Sequence, residues 1–552
     1  MRFRMASVVV SVFIGVVAAG EPPTLHTRAE ESAFRATALH AEVVSLLDRL
    51  AAASPLARRA SLGTTGEGRE IPLLIIADPP VATPAEARAQ VERDGKLVVL
   101  AIANIHAGEV EGKESLPMLA RQILGLQAAD EDDLRPLLKH LVIALAPIYN
   151  ADGNERIDPG HRPGQNGPEQ GVGIRENGLP PKGLDLNRDF VKLEAPETRG
   201  LVRFLVEWDP HVFIDCHTTN GSLHRFVITY AGPKMPAGDA ELNRFSRDEF
   251  FPALRRRFER PGRWKAFWYG SFEGAFGEGK RGVNEHSRWE TFPAEARYGT
   301  NYVGLRNRIS VLSEAYAYAP FKDRVLATRD FVRSVLELAS ERREEIRRVL
   351  SEADARATAC GNAVADPDDH VAIRTKAAKW DEPATILGYE EEERDGRIQS
   401  TGREREYSVE LWDRFEVVQS VPRPWAYLIA HAEGAEAIVE NLRRHGIEIE
   451  ELPGGLEADV VALEVGDVTQ ATRLFQGHAL ARVDVLERPR TALLGHGSWL
   501  VRTGQPLGSL VCYLLEPACE DGLTAWNFCD RWLRPGVELP IYRRMSPLPE
   551  RP

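Results

Sequence analysis

KLVVLAIANIHAGE, residues 96–109, decides how the chain is to be read. Nine apolar or small residues run without a charge and then stop at a histidine, two small residues and a glutamate, which is the pattern of a fully buried strand that ends at polar chemistry. An imidazole and a carboxylate three residues apart can grip one zinc ion, because catalytic zinc takes three N/O ligands and leaves a fourth position open. The spacing His106–Glu109 recurs at His445–Glu448, which follows the helical stretch AIVENLRR and reads as a helix terminus leading into a strand, so the spacing by itself does not define a site.

Working outward, the short β-branched runs Ile71–Ala77, Lys96–Ile105, Leu141–Tyr149, His211–Asp215, Arg225–Tyr230 and Ile309–Leu312 alternate with amphipathic stretches. Ser115–Gln127, with Pro117 expected in its first turn, and Glu194–Glu207 have helical spacing, and a long charged helix is expected over Ala327–Ala357. The fold class is α/β: a mixed, mostly parallel twisted sheet covered by helices, followed by a smaller α+β or β-rich C-terminal domain. In such a sheet ligands gather beyond the carboxyl ends of the strands. His217 ends HVFIDCH, Glu314 ends RISVLSE, and NADGNE opens the loop after Leu141–Tyr149, so the polar ends of several strands converge with His106 and Glu109 on one crevice.

The boundaries read from composition are residues 1–20 as a signal peptide, 21–357 as the catalytic domain, 358–405 as a charged linker or loop, and 406–552 as the C-terminal domain. Arg2 and Arg4, an uncharged apolar run over Ala6–Ala19 and the small residues Ala18–Gly20 make the first segment a secretory signal, which implies a secreted or periplasmic mature protein. No other stretch approaches the roughly 20 apolar residues of a membrane anchor. Asp381–Glu404 is crowded with charge and lacks periodicity, as in an exposed loop. A net charge of −13, from 82 acidic and 69 basic side chains, has the wrong sign for nucleic-acid binding. Five cysteines without a C-x-x-C pair exclude a dense disulfide framework, leaving only a Cys519–Cys529 bridge open.

These residues resemble the zinc metallocarboxypeptidases of the carboxypeptidase A type. The resemblance spans about residues 45–345 and is carried, in order, by GTTGEGREI (63–71), HAGE (106–109), NADG (150–153), LNRD (186–189), DCH (215–217) and SEAYAY (313–318). It implies one zinc ion per chain on His106, Glu109 and His217, Glu314 as general base, and Asp185 holding His106 in its metal-binding tautomer. It further implies Arg175 as cationic donor to the tetrahedral intermediate, with Arg156 and Arg162 as nearer alternatives, and Asn187 with Arg188 gripping the terminal carboxylate of a peptide substrate. Tyr298 and Tyr302 are its choices for the tyrosine that caps the substrate. One departure is Gly108, where the family's best-known members carry arginine. The expected activity is removal of a C-terminal residue from peptides; hydrolysis of another amide on the same fold, or a binding role on a degenerate scaffold, are the competing readings.

Overall fold

The computed structural model describes residues 25–127, 131–158, 183–260, 262–273, 282–362, 368–452 and 454–548. The proposed signal peptide lies outside them. Among the described residues no helix is long and apolar enough to cross a membrane.

The first half is built on an eight-stranded mixed sheet. Its strands are β1 (Ala57–Thr64), β2 (Glu70–Ile76), β3 (Leu97–Ala103), β4 (Leu141–Ala146), β5 (Val212–Thr219), β6 (Ile228–Ala231), β7 (Ala266–Trp268) and β10 (Ile309–Tyr316). The short β8 (Ser271–Phe272) and β9 (Arg288–Glu290) belong to a second sheet. The order across the large sheet is β1-β2-β4-β3-β5-β10-β6-β7. Its centre, β4-β3-β5-β10, is parallel, and the flanking pairs β1-β2, β2-β4 and β10-β6 are antiparallel. β3 is buried on both faces: Val98, Leu100 and Ile102 enter one core while Leu97, Val99, Ala101 and Ala103 enter the other. That two-sided burial is why residues 97–103 read as a continuous apolar run instead of an alternation.

One face is covered by the helices Glu111–Ile123 and Phe321–Glu341, the other by Pro196–Trp208 and, behind it, by Ala435–Arg444 of the C-terminal half. The helix after HAGE starts at Glu111, four residues before the expected Ser115, and Pro117 therefore lies in its interior. The early start follows from burial of Glu111, whose Oε1 accepts from Arg324 Nε at 2.5 Å. The expected single helix over Ala327–Ala357 is two helices, Phe321–Glu341 and Arg343–Asn362, interrupted at Arg342. The Arg342 side chain is held there by Glu345 at 2.6 Å and lies over the Phe245 ring.

The C-terminal half is rich in strands: β11 (His370–Ala378), β12 (Ala384–Arg394), β13 (Arg397–Trp412), β14 (Arg414–Pro422), β15 (Ala426–Ile429), β16 (Glu450–Glu451), β17 (Leu456–Gln470), β18 (Ala481–Leu494), β19 (Trp499–Arg502) and β20 (Glu538–Arg544). Six of them form an antiparallel sheet in the order β16-β19-β15-β20-β17-β18. The charged stretch 381–404, expected as a loop, is largely the hairpin β12–β13, and β13 continues into pairing with β9 of the first half. One face of this hairpin buries Ile386, Tyr407, Val409 and Leu411 against Phe272 and Trp289, while its other face carries the charges that disguised it. All five cysteines are free, so the Cys519–Cys529 bridge is not formed.

Gly112 sits where the helix Glu111–Ile123 crosses the sheet. A Cβ built there would come within 2.6 Å of Ala103 Cβ and 2.7 Å of Cys216 Cβ. Gly112→Ala is expected to destabilise the fold by about 1–3 kcal/mol through overpacking, read as a lower midpoint in chemical denaturation.

Burial is also the main cause that depresses the pKa of His211 to about 4 and of His224 and His445 to about 3. Below about 6.5 the unfolded chain takes up protons on these imidazoles that the folded chain refuses, so stability is lost as pH falls from there towards 4. The melting temperature should therefore drop between neutral pH and pH of about 5, and His445→Gln should flatten that slope.

Candidate metal and catalytic centre

β3 ends at Ala103 and the chain turns sharply at Asn104, which has a positive φ of 65°. Asn104 Nδ2 donates to the carbonyls of Ala107 at 2.8 Å and Glu109 at 3.2 Å, and Glu109 N–H donates to His106 O at 2.9 Å. The turn folds back on itself and sets the His106 and Glu109 side chains together. Asn150 of the NADG loop braces it from outside, with Nδ2 donating to Ile105 O at 3.0 Å. Asp152, from the same loop, accepts from Thr65 Oγ1 at 2.6 Å, Glu67 N at 2.9 Å and Arg69 Nη1 at 2.7 Å. GTTGEGREI and NADG are thus two halves of one structural clasp.

His217 lies near the end of β5, next to β3, and its ring meets that of His106 edge-on with centroids 4.9 Å apart. Glu109 stands between them. Its Oε1 is 3.1 Å from His106 Nδ1, its Oε2 is 2.9 Å from His217 Nδ1, and the donor atoms of all three residues lie within 4.8 Å of one another. Behind each imidazole stands a second carboxylate: Asp185 Oδ1 is 3.1 Å from His106 Nε2, and Asp215 Oδ2 is 2.8 Å from His217 Nε2. His106, giving its Nε2–H to Asp185, keeps its Nδ1 lone pair for a metal, and Asp215 faces His217 as a charge partner only, so the donor set fits a divalent cation. Burial disfavours charge on both rings, yet the carboxylates around them outweigh it: Glu109 and Asp185 raise the pKa of His106, and Asp215 and Glu109 raise that of His217. Three acids surrounding two imidazoles attract positive charge.

Glu314 sits on β10, paired across the parallel ladder with His217. Together with His106 and Glu109 it lines a cleft of about 460 Å³. Asn187 and Arg188 line the same cleft on a short 3-10 turn capped by Asp185, whose Oδ1 accepts from Asn187 N at 3.0 Å. Asn187 Oδ1 in turn accepts from Gly299 N at 3.0 Å. The Arg188 guanidinium lies 4.3 Å from the centre of the Tyr298 ring, which is also on the cleft wall.

Tyr302 does not reach the cleft. It is fully buried one helical turn beyond Tyr298, with its hydroxyl 2.8 Å from His445 Nδ1. That contact explains both misleading residues, because His445 closes its other side on Val191 O at 3.2 Å and so is a core histidine. Arg156 pairs with Glu67 beside the β1–β2 turn and does not line the cleft, while Arg175 and Arg162 lie outside the described residues. Sequence reading missed Tyr269 and Phe292 on the cleft wall, whose rings meet at 5.7 Å. Burial, then the charge of Glu314, pushes the pKa of Tyr269 upward. The run AFWYGS offered no spacing signal for it.

Residues 43–258 match the family model described as zinc carboxypeptidase. The chain carries a zinc-carboxypeptidase domain. Over 494 residues, 86% of this chain and 81% of the relative, it is 24% identical to carboxypeptidase 2 of Trichophyton tonsurans. Over 188 residues, 33% of this chain and 25% of the relative, it is 31% identical to carboxypeptidase Z of Rattus norvegicus. A metallo-carboxypeptidase structure from Burkholderia cenocepacia aligns over 55% of this chain and 68% of its own, at 18% identity and a TM-score of 0.38.

Tyr302→Phe should lower the stability of this chain by about 1–2 kcal/mol by leaving His445 short of a partner, with kcat/KM on a peptide within about twofold of the parent. A large change in KM would return Tyr302 to the substrate site.

Proposed function

We propose that this protein is a secreted, zinc-dependent carboxypeptidase that hydrolyses the C-terminal bond of peptides. The observation that carries the reading is the meeting of donor atoms from His106, Glu109 and His217 within 4.8 Å of one another, beside a cleft lined by His106, Glu109, Glu314 and Arg188. His106, Glu109 and His217 would hold one zinc ion. When bound, zinc lowers the pKa of water towards about 7 and polarises the scissile carbonyl.

The residues of the chain divide the remaining work. Arg188, with Asn187, takes the terminal carboxylate of the substrate, for which a planar guanidinium fork is suited. An endopeptidase would have no free carboxylate to bind there. Tyr298, stacked on Arg188, walls the carboxylate end of the cleft. Glu314 accepts the proton of the attacking water and passes it to the departing amine nitrogen. Arg175 is assigned from its position in the sequence as the cationic donor to the developing oxyanion. Secretion rests on the N-terminal sequence Met1–Gly20.

Glu314→Gln should retain one zinc per chain, measured by elemental analysis, while kcat on a free peptide falls by about 10²–10⁴-fold. The parent should leave the C-terminally amidated form of that peptide uncut. Full activity in Glu314→Gln, or equal turnover of the amidated peptide, would contradict the assignment.

A further inference from the structure

The loop joining β17 to β18 makes a tight turn over Phe475–His478. Phe475 N–H donates to His478 O at 2.9 Å, and His478 N–H donates back to Phe475 O at 3.0 Å. The two residues between them, Gln476 and Gly477, have φ of 52° and 83°. A hairpin turn with both central residues at positive φ strongly prefers Asn-Gly or Gly-Gly, since an ordinary side chain is strained there. Glutamine in the first of these positions is a local cost, and such outliers persist where the surroundings hold them and the side chain has work to do.

The Gln476 side chain leaves its own domain. Its Oε1 accepts the backbone N–H of Asp185 at 2.7 Å. Asp185 is the residue whose carboxylate faces His106 Nε2 and caps the turn bearing Asn187 and Arg188. The turn is seated on both flanks. The Arg297 guanidinium lies 5.2 Å from the centre of the Phe475 ring and is itself paired with Glu295 at 3.0 Å and Asp521 at 2.9 Å. His478 Nε2 donates to Glu194 Oε1 at 2.9 Å.

We propose that the C-terminal domain supplies a positioning residue to the active centre: Gln476 fixes the Asp185 backbone, and through the Asp185 carboxylate it sets the orientation of His106 and of the Asn187–Arg188 turn. This rests on the zinc reading given under Proposed function. An asparagine at 476 would suit the turn better and yet be one methylene too short to reach Asp185, which gives the strained glutamine its reason.

The same fact supplies the test. Gln476→Asn and Gln476→Gly relieve the turn and remove the contact, whereas Gln476→Glu keeps an acceptor of the same length. Full-length parent and variants would be compared for melting temperature, for zinc affinity by competition with a chromophoric chelator, and for kcat and KM on a peptide with a free C-terminus. The expected result is unchanged or higher melting temperature in Gln476→Asn and Gln476→Gly, with zinc held about tenfold more weakly, the lower end of what disturbing a ligand's hydrogen-bond partner costs. KM should rise with it, because Arg188 loses its registration, and Gln476→Glu should restore zinc affinity to within about threefold of the parent. Parent-like zinc affinity and KM in both Gln476→Asn and Gln476→Gly would overturn the positioning role alone. A parent that binds no stoichiometric zinc would overturn the metal reading and this proposal with it.

Discussion

Glu109 is the constraint on which the centre depends. Its two oxygens face two imidazoles that arrive on different strands, and its Oε2 also accepts from Thr218 N at 3.1 Å. A single carboxylate thus ties the turn after β3 to the end of β5. It can do so only because the helix that follows lies almost in contact with the sheet at Gly112, three residues further on. The apolar strands provide the platform, the tight turn at Asn104 aims the His106 and Glu109 side chains, and the carboxylates of Asp185 and Asp215 stand behind the two rings. Each layer acts on the one in front of it.

How much of this was legible follows from the range over which each signal acts. β3, β5 and β10 were readable because strands buried on both faces must be apolar throughout, and the polar residues at their ends stand out by contrast. His106, Glu109, His217 and Glu314 come together for that reason, whereas Asp185, Asn187 and Arg188, on a short turn with no strand before it to set them off, were legible only through the family resemblance. Tyr298 and Tyr302 illustrate the limit. They are neighbours on one helical stretch, and which of them faces the cleft is decided by His445, more than a hundred residues away in the sequence. No local pattern carries that information.

The C-terminal half was legible in kind and not in detail. The hairpin β12–β13 hid because its buried face is short and its other face is charged, so that Asp381–Glu404 resembled a solvated loop. The contribution of Gln476 was invisible for a different reason. It is a contact made by one side chain with backbone nearly three hundred residues away in the sequence, and neither glutamine nor its surroundings has a compositional mark.

The pairing of β13 with β9 gives the two halves a common sheet. Severing the chain near residue 357 would not release an intact module: Trp289 and Phe272 would lose their cover, and β9 would be left with unsatisfied amide and carbonyl groups on one side, the kind of open border through which proteins associate indiscriminately. The hairpin is thus a wall of the first half's own interior, and only its outward, charged side is free of that duty.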